Sequence, residues 1–177
     1  MNEEKKLSSE YHFRGKIMNL RVDTVECPGG RISTREVCEH CDGVAILPIE
    51  DDGTVTLVRQ FRYPFAKELL EVPAGKMDKG EEHLECGIRE LSEETGYSAD
   101  EMIYLGAYYL SPGCYTERIH LYIAKGIRKG EAHPDEGEIL NVETYSLKEA
   151  VRMCDDGEIK DAKTVMLILR AARLAEM

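Results

Sequence analysis

Apolar positions along the chain fall into short alternating runs, broken by Gly, Pro and acidic turns, with helical periods in the middle and at the end. Residues 1–10 are polar and are expected to fray. Residues 11–42 read as β-rich: Val22, Val25 and Ile32 are apolar, and Cys27-Pro28-Gly29-Gly30 forms a turn. Gly43–Ile49 and Thr54–Phe61 flank Glu50-Asp51-Asp52-Gly53, which predicts a hairpin. A short strand, Glu68–Val72, is stopped by Pro73-Ala74-Gly75. A helix follows from about Gly80 to Thr95, with Gly96 in the left-handed cap position. On its wheel Leu84, Ile88, Leu91 and Thr95 form one stripe, expected to pack on the sheet. Met102–Leu110 and Arg118–Ala124 are strands around a Ser111-Pro112-Gly113 loop, and Ile119, Leu121 and Ile123 of the second share one face. An acidic loop, Gly130–Gly137, precedes a last strand at Glu138–Tyr145. Ser146 and Glu149 form a capping box for a helix ending near Asp156-Gly157, and the final helix covers about Asp161–Ala175. This order predicts an α+β fold: a mixed β-sheet sandwiched between helices (α/β/α) over residues 43–177, and a small antiparallel sheet within residues 1–42.

Composition narrows the function. A chain of 177 residues suits one domain with a real core and a small appendage. Its net charge of -11 argues against binding a nucleic-acid backbone, which requires a basic patch. An anionic small molecule stays accessible to an acidic protein if metal ions bridge the two. No run approaches the length of a membrane helix, and Met-Asn-Glu-Glu-Lys-Lys lacks the apolar core of a signal peptide. The six cysteines are therefore expected as reduced thiols in the cytoplasm. Cys38-Glu39-His40-Cys41 has half the spacing of a zinc site, but a second such pair is missing from the sequence.

The chemistry concentrates on the helix at 80–95. Glu90, Glu93 and Glu94, spaced i, i+3 and i+4, share one face and repel one another unless a cation sits among them. Glu85, four residues before Arg89, is placed to pair with it. Clustered carboxylates suit Mg²⁺ or Mn²⁺, with substrate phosphates completing the coordination.

Gly75, Glu81, Arg89, Glu90, Leu91, Glu93, Glu94 and Gly96 match the Nudix box, Gly-x5-Glu-x7-Arg-Glu-U-x-Glu-Glu-x-Gly-U, where U is a bulky aliphatic residue. Tyr97 departs from it only at the last U. The chain thus resembles the Nudix hydrolases, which cleave a nucleoside diphosphate linked to another group. The resemblance implies that Glu90 and Glu94 are metal ligands, with Glu93 a ligand or close neighbour and the carbonyl of Ala74 a further ligand. It implies that Arg89 orients the glutamates, that Gly75 permits close backbone approach, and that Glu81 stabilises the loop–helix junction. Mg²⁺ is the implied cofactor, with Mn²⁺ as an alternative.

Flanking residues resemble the ADP-ribose pyrophosphatase branch. These are Val58-Arg59-Gln60-Phe61-Arg62-Tyr63-Pro64, Glu68–Gly75, and Ser111-Pro112-Gly113 with Glu117. The branch implies substrate-binding roles for Arg35, Arg59, Arg62, Glu71, Ser111 and Gly113. It also implies a general base in the acidic loop: Glu138, directly before Ile139-Leu140, or else Glu136. Its β-rich N-terminal segment implies a homodimer, with Arg35 and Glu36 where contacts across the two-fold axis would arise. Other nucleoside diphosphate sugars, such as GDP-mannose or ADP-glucose, remain the alternative substrates, and a non-catalytic ADP-ribose sensor is the alternative outside catalysis.

Overall fold

The computed structural model describes residues 3–133 and 139–175, and the chain divides into two compact units. The first comprises residues 1–42 and 109–118, the second residues 43–108 and 119–177.

In the first unit, β1 (Lys5–Arg14), β2 (Asn19–Glu26) and β3 (Ile32–Glu39) form an antiparallel sheet in sequence order. The expected fraying is corrected for residues 5–10, because β1 begins at Lys5 and pairs with β2 from Lys5↔Glu26 onward. Cross-strand contacts fix this polar strand: Ser9 donates to Asp23 at 2.5 Å, and Glu4 pairs with Arg35. The Ser111–Thr116 stretch joins the same unit through the Cys38 N–H to Cys114 carbonyl bond (2.7 Å) and the Thr116 N–H to Cys38 carbonyl bond (3.0 Å).

The second unit is built on a mixed sheet in the order β7 (Ala74–Lys76), β4 (Gly43–Pro48), β10 (Arg118–Lys125), β9 (Glu101–Tyr109), with β4 and β10 parallel. An antiparallel sheet, β12 (Leu140–Ser146), β5 (Thr54–Arg62) and β6 (Lys67–Glu71), adjoins it, and a two-stranded ribbon joins β8 (Tyr97–Ser98) to β11 (Arg128–Lys129). The helices are α1 (His83–Thr95), α2 (Leu147–Asp155) and α3 (Ala162–Ala175). Every residue of β4 is buried, and its alternation divides the core. Ala45 and Leu47 join Leu121, Ile123, Met153, Leu167 and Ile168 on the side of α2 and α3, whereas Val44 and Ile46 join Cys86, Leu91 and Tyr122 on the side of α1. Helices therefore cover both faces, as the α/β/α reading requires.

The predicted hairpin is corrected. Its turn exists: Gly53 has a φ of +83° and its N–H reaches the Glu50 carbonyl at 2.9 Å. The strands part after a single Ile49↔Val55 bridge, because β4 is the doubly buried centre of one sheet and β5 pairs instead with β12 and β6. The expected stripe on α1 is also corrected. Leu91 and Thr95 are buried, but Leu84 and Ile88 are about half exposed. The buried face runs through Cys86, Gly87, Leu91, Glu94 and Thr95 instead. A Cβ at Gly87 would lie 3.2 Å from Val44 and 3.3 Å from Met102, so the small residue lets the helix approach the sheet closely and turns its acidic side inward. Gly96 ends α1 at a φ of +73°, and Ser146 caps α2 by accepting the Glu149 N–H at 3.1 Å, as the sequence indicates.

Candidate active site

Strand β7, the loop after it and α1 assemble the acidic site. Arg89 lies at its centre with every guanidinium nitrogen engaged. Nε and Nη2 donate to the two oxygens of Glu81 (2.9 and 3.0 Å), and Nη1 donates to Glu90 (2.8 Å) and Glu93 (2.9 Å). Nη2 also reaches the Lys76 carbonyl at 3.1 Å, tying the helix to β7. These partners replace the Glu85 pairing expected from spacing alone. Glu81 in turn accepts the Asp78 N–H at 2.9 Å, closing the loop before the helix, and Arg89 holds its carboxyl down at about 2. Burial pushes the neighbouring Cys86 thiol up to about 12, so it serves as packing rather than as a nucleophile.

Glu94 is buried on the inner side of α1, and its Oε2 accepts the Ala74 N–H at 3.1 Å. This bond fixes the Pro73-Ala74-Gly75 corner against the helix. Gly75 is needed there for space: a Cβ would overlap the Glu90 carboxylate. Among the described residues, no three acidic, histidine or cysteine side chains are gathered at metal-ligating distance. Glu90 and Glu93 are instead drawn to Arg89. The donor set nevertheless fits a hard divalent cation, because it offers carboxylate oxygens of Glu90, Glu93 and Glu94 beside an open backbone corner kept clear by Gly75. Three carboxylates on one guanidinium, with Glu94 as a fourth on the same helix, make this an anionic site.

A second charged group lies alongside. Glu71, at the end of β6 and 2% exposed, accepts Arg62 on both oxygens (2.6 and 2.8 Å) and Lys163 at 2.5 Å. Burial alone would raise the Glu71 carboxyl, but the two cations outweigh it and hold it down at about 2. The Glu71 carboxylate, and more weakly Glu94 and Asp161, raise the basicity of Arg62, which places that guanidinium within the field of Glu94. Lys163 and its second partner Asp161 (3.0 Å) were missed in the sequence. A lysine in the first turn of a helix, against the dipole, is the signal that marks it.

Arg59 is spent on Glu143 of β12, through bonds of 2.5 and 3.0 Å. Arg35 belongs to the first unit and pairs with Glu4 there. Ser111 and Gly113 lie in the same unit, where the Ser111 carbonyl accepts the Tyr115 N–H at 2.9 Å. Glu117 pairs with His40 at 3.6 Å when the imidazole is protonated. Glu136 and Glu138 lie outside the described residues. His133, the last residue described before them, donates its N–H to the Glu93 carbonyl at 2.9 Å. The Cys38–Cys41 segment contains free thiols, as do the other cysteine positions.

The NUDIX domain model matches residues 39–168, and that of the nucleoside diphosphate sugar hydrolase N-terminal domain matches residues 4–38. The chain belongs to the Nudix family and is a Nudix hydrolase, a class that depends on divalent metal. It is 39% identical over 168 residues to an ADP-ribose pyrophosphatase of Bacillus subtilis, covering 94% of this chain and 91% of the relative. A Bacillus methanolicus protein described as a methanol dehydrogenase activator is 40% identical with the same coverage, and a GDP-mannose pyrophosphatase of Pectobacterium atrosepticum is 37% identical, covering 95% and 91%. A crystal structure of an ADP compounds hydrolase shares the fold, with a TM-score of 0.88 at 22% identity over 99% of this chain and 96% of that one. No helix among the described residues is long and apolar enough to cross a membrane.

Proposed function

We propose that this chain hydrolyses the diphosphate bond of ADP-ribose to AMP and ribose 5-phosphate, with Mg²⁺ as the working ion and Mn²⁺ able to replace it. The observation that carries the reading is the Arg89 fork, which fixes Glu90 and Glu93 beside the Gly75 corner while Glu94 is tied to Ala74. Glu90, Glu94, Glu93 and the Ala74 carbonyl are the residues that would hold metal. When bound, divalent ions neutralise the diphosphate and lower the pKa of water.

The chain's own residues perform the rest. Arg89 sets the rotamers of the acids, and Arg62, within the field of Glu94, presents a cation to the diphosphate. Glu138 is the base that takes the proton of the attacking water, with Glu136 as the second choice. The His133 to Glu93 bond supports this, because it ties the start of the acidic loop to the end of α1. Arg59, Ser111, Gly113 and Arg35 are assigned to substrate binding on resemblance, Arg59 being paired with Glu143 and Arg35 with Glu4 as Arg62 is with Glu71.

The N-terminal segment, residues 1–42, is proposed as the dimerisation element of a homodimer. Among its described residues, Phe13 and Ile17 are exposed beside the β1–β2 turn and Ile32 at the other end of the sheet, apolar positions that a second copy would cover. Six free thiols suit the cytoplasm. Likeness to GDP-mannose pyrophosphatases keeps that sugar as the second reading.

A phosphate-release assay tests the reading. ADP-ribose, ADP-glucose, GDP-mannose, NADH and 8-oxo-dGTP are compared in Mg²⁺ and then Mn²⁺, with Glu94→Gln as the blank. A kcat/KM for ADP-ribose at least about tenfold above the rest is expected, and preference for another substrate overturns the assignment. Glu138→Gln should lower kcat at least about tenfold with the fold intact; full activity removes it from the mechanism. Light scattering should give a dimer mass, and an active monomer would refute the assembly.

A further inference from the structure

Helix α3 is preceded by Asp161 and opens on Ala162-Lys163-Thr164. Asp161 Oδ2 accepts the Thr164 N–H at 3.0 Å and its hydroxyl at 2.5 Å, which caps the helix. Lys163 therefore sits in the first turn, where the helix dipole disfavours a cation. Its side chain is only 12% exposed, so the ammonium also loses most of its hydration. Two unfavourable terms on one residue point to a functional reason for the charge.

The ammonium donates to Glu71 Oε2 at 2.5 Å and pairs with Asp161 at 3.0 Å. Arg62 Nη2 shares that Glu71 oxygen at 2.8 Å, while its Nε takes Oε1 at 2.6 Å. The Thr164 hydroxyl accepts the Val72 N–H at 2.8 Å, two residues before Ala74. Arg62, Lys163, Glu71 and Asp161 thus form a closed group of two positive and two negative charges, fastened to the strand end that leads into the Gly75 corner.

We infer that Lys163 is a positioning residue for diphosphate binding, one that rests on the proposed function: it shares Glu71 with Arg62 and keeps the four-charge group neutral, so that Arg62 retains its attraction for an anionic substrate. Without Lys163 the carboxylate of Glu71 belongs to Arg62 alone and the group carries one net negative charge beside an already acidic site. Across roughly 10 Å at an effective dielectric of about 20, one such charge changes affinity for a unit anion on the order of tenfold.

The test compares wild type with Lys163→Met, Lys163→Arg and the double variant Lys163→Met/Asp161→Asn, whose Asn keeps the helix cap and restores neutrality. ADP-ribose kinetics are paired with calorimetric titration of ADP in Mg²⁺ and, separately, of Mn²⁺ alone. Lys163→Met should raise KM and the ADP Kd about tenfold, with kcat within about threefold and Mn²⁺ binding no weaker. Lys163→Arg and the double variant should recover most of the ADP affinity. An unchanged KM, a loss confined to kcat, or a Lys163→Arg variant as impaired as Lys163→Met overturns the inference. Should Lys163→Met fail to fold, Lys163→Gln takes its place, with the same rise in KM and ADP Kd expected and the same outcomes overturning the inference. If the wild type binds ADP yet hydrolyses no nucleoside diphosphate sugar, the proposed function falls while the ADP series still decides the role of Lys163. If it binds no ADP, both fall.

Discussion

Replacing Glu71 by Gln removes the negative charge, and one of the two acceptor oxygens, on which Arg62 and Lys163 converge and leaves two cations facing each other in a buried setting. In the folded protein the Glu71 carboxyl is held at about 2 against an ordinary 4.5. That difference is worth roughly 3 kcal/mol, in line with the cost of breaking a buried ion pair. Glu71 is almost wholly buried, so solvent screening reduces this little. The sign follows from linkage. A carboxyl with a depressed folded pKa contributes its full stability above the unfolded value and loses it as pH falls from about 4.5 toward 2. The gap between wild type and Glu71→Gln should thus be about 3 kcal/mol at pH 7 and shrink by about 1.4 kcal/mol per pH unit below the unfolded pKa. Urea unfolding at pH 7, 5.5 and 3.5 measures it. A gap under about 1 kcal/mol at neutral pH, or one that stays constant down to pH 3.5, would refute the electrostatic account.

Three further outcomes test the site and its frame. Gly75→Ala should weaken Mn²⁺ binding at least about tenfold by calorimetry while leaving most of the thermal stability, because the methyl displaces Glu90 rather than a core residue; unchanged affinity would show that Glu90 has room to give. Arg89→Lys should cost about 1–3 kcal/mol in urea unfolding, since one ammonium cannot reproduce a fork that holds Glu81, Glu90 and Glu93 together, and a wild-type unfolding curve would contradict it. Ser146→Ala should cost about 1 kcal/mol through loss of the α2 cap, with hydrolysis rates intact.

Much of the site was legible because it is local. Gly75, Glu81, Arg89, Glu90, Glu93 and Glu94 lie on one loop and one helix, so spacing alone brings them together. Where spacing misled, a distant partner intervened. Glu85 is at the right interval for Arg89, but Glu81 and the Lys76 carbonyl, reached only once the loop folds back, take those donors. Leu84 and Ile88 are apolar at helical spacing, yet the sheet receives the Gly87 side of α1 because Glu94 must meet the Ala74 N–H.

The sequence by itself determined the helix and its caps at Gly96 and Ser146, the acidic chemistry, the mixed α+β order and the family, because each depends on residues near one another in the chain. Only the tertiary structure decided that β4 and β5 leave a shared turn for different sheets, and that Arg59 is spent on Glu143. It alone showed that a lysine 92 residues after Glu71 completes the charge balance behind Arg62. Those outcomes depend on which surfaces are buried on both sides and which charges lose their water together, and both are properties of the assembled core rather than of any segment.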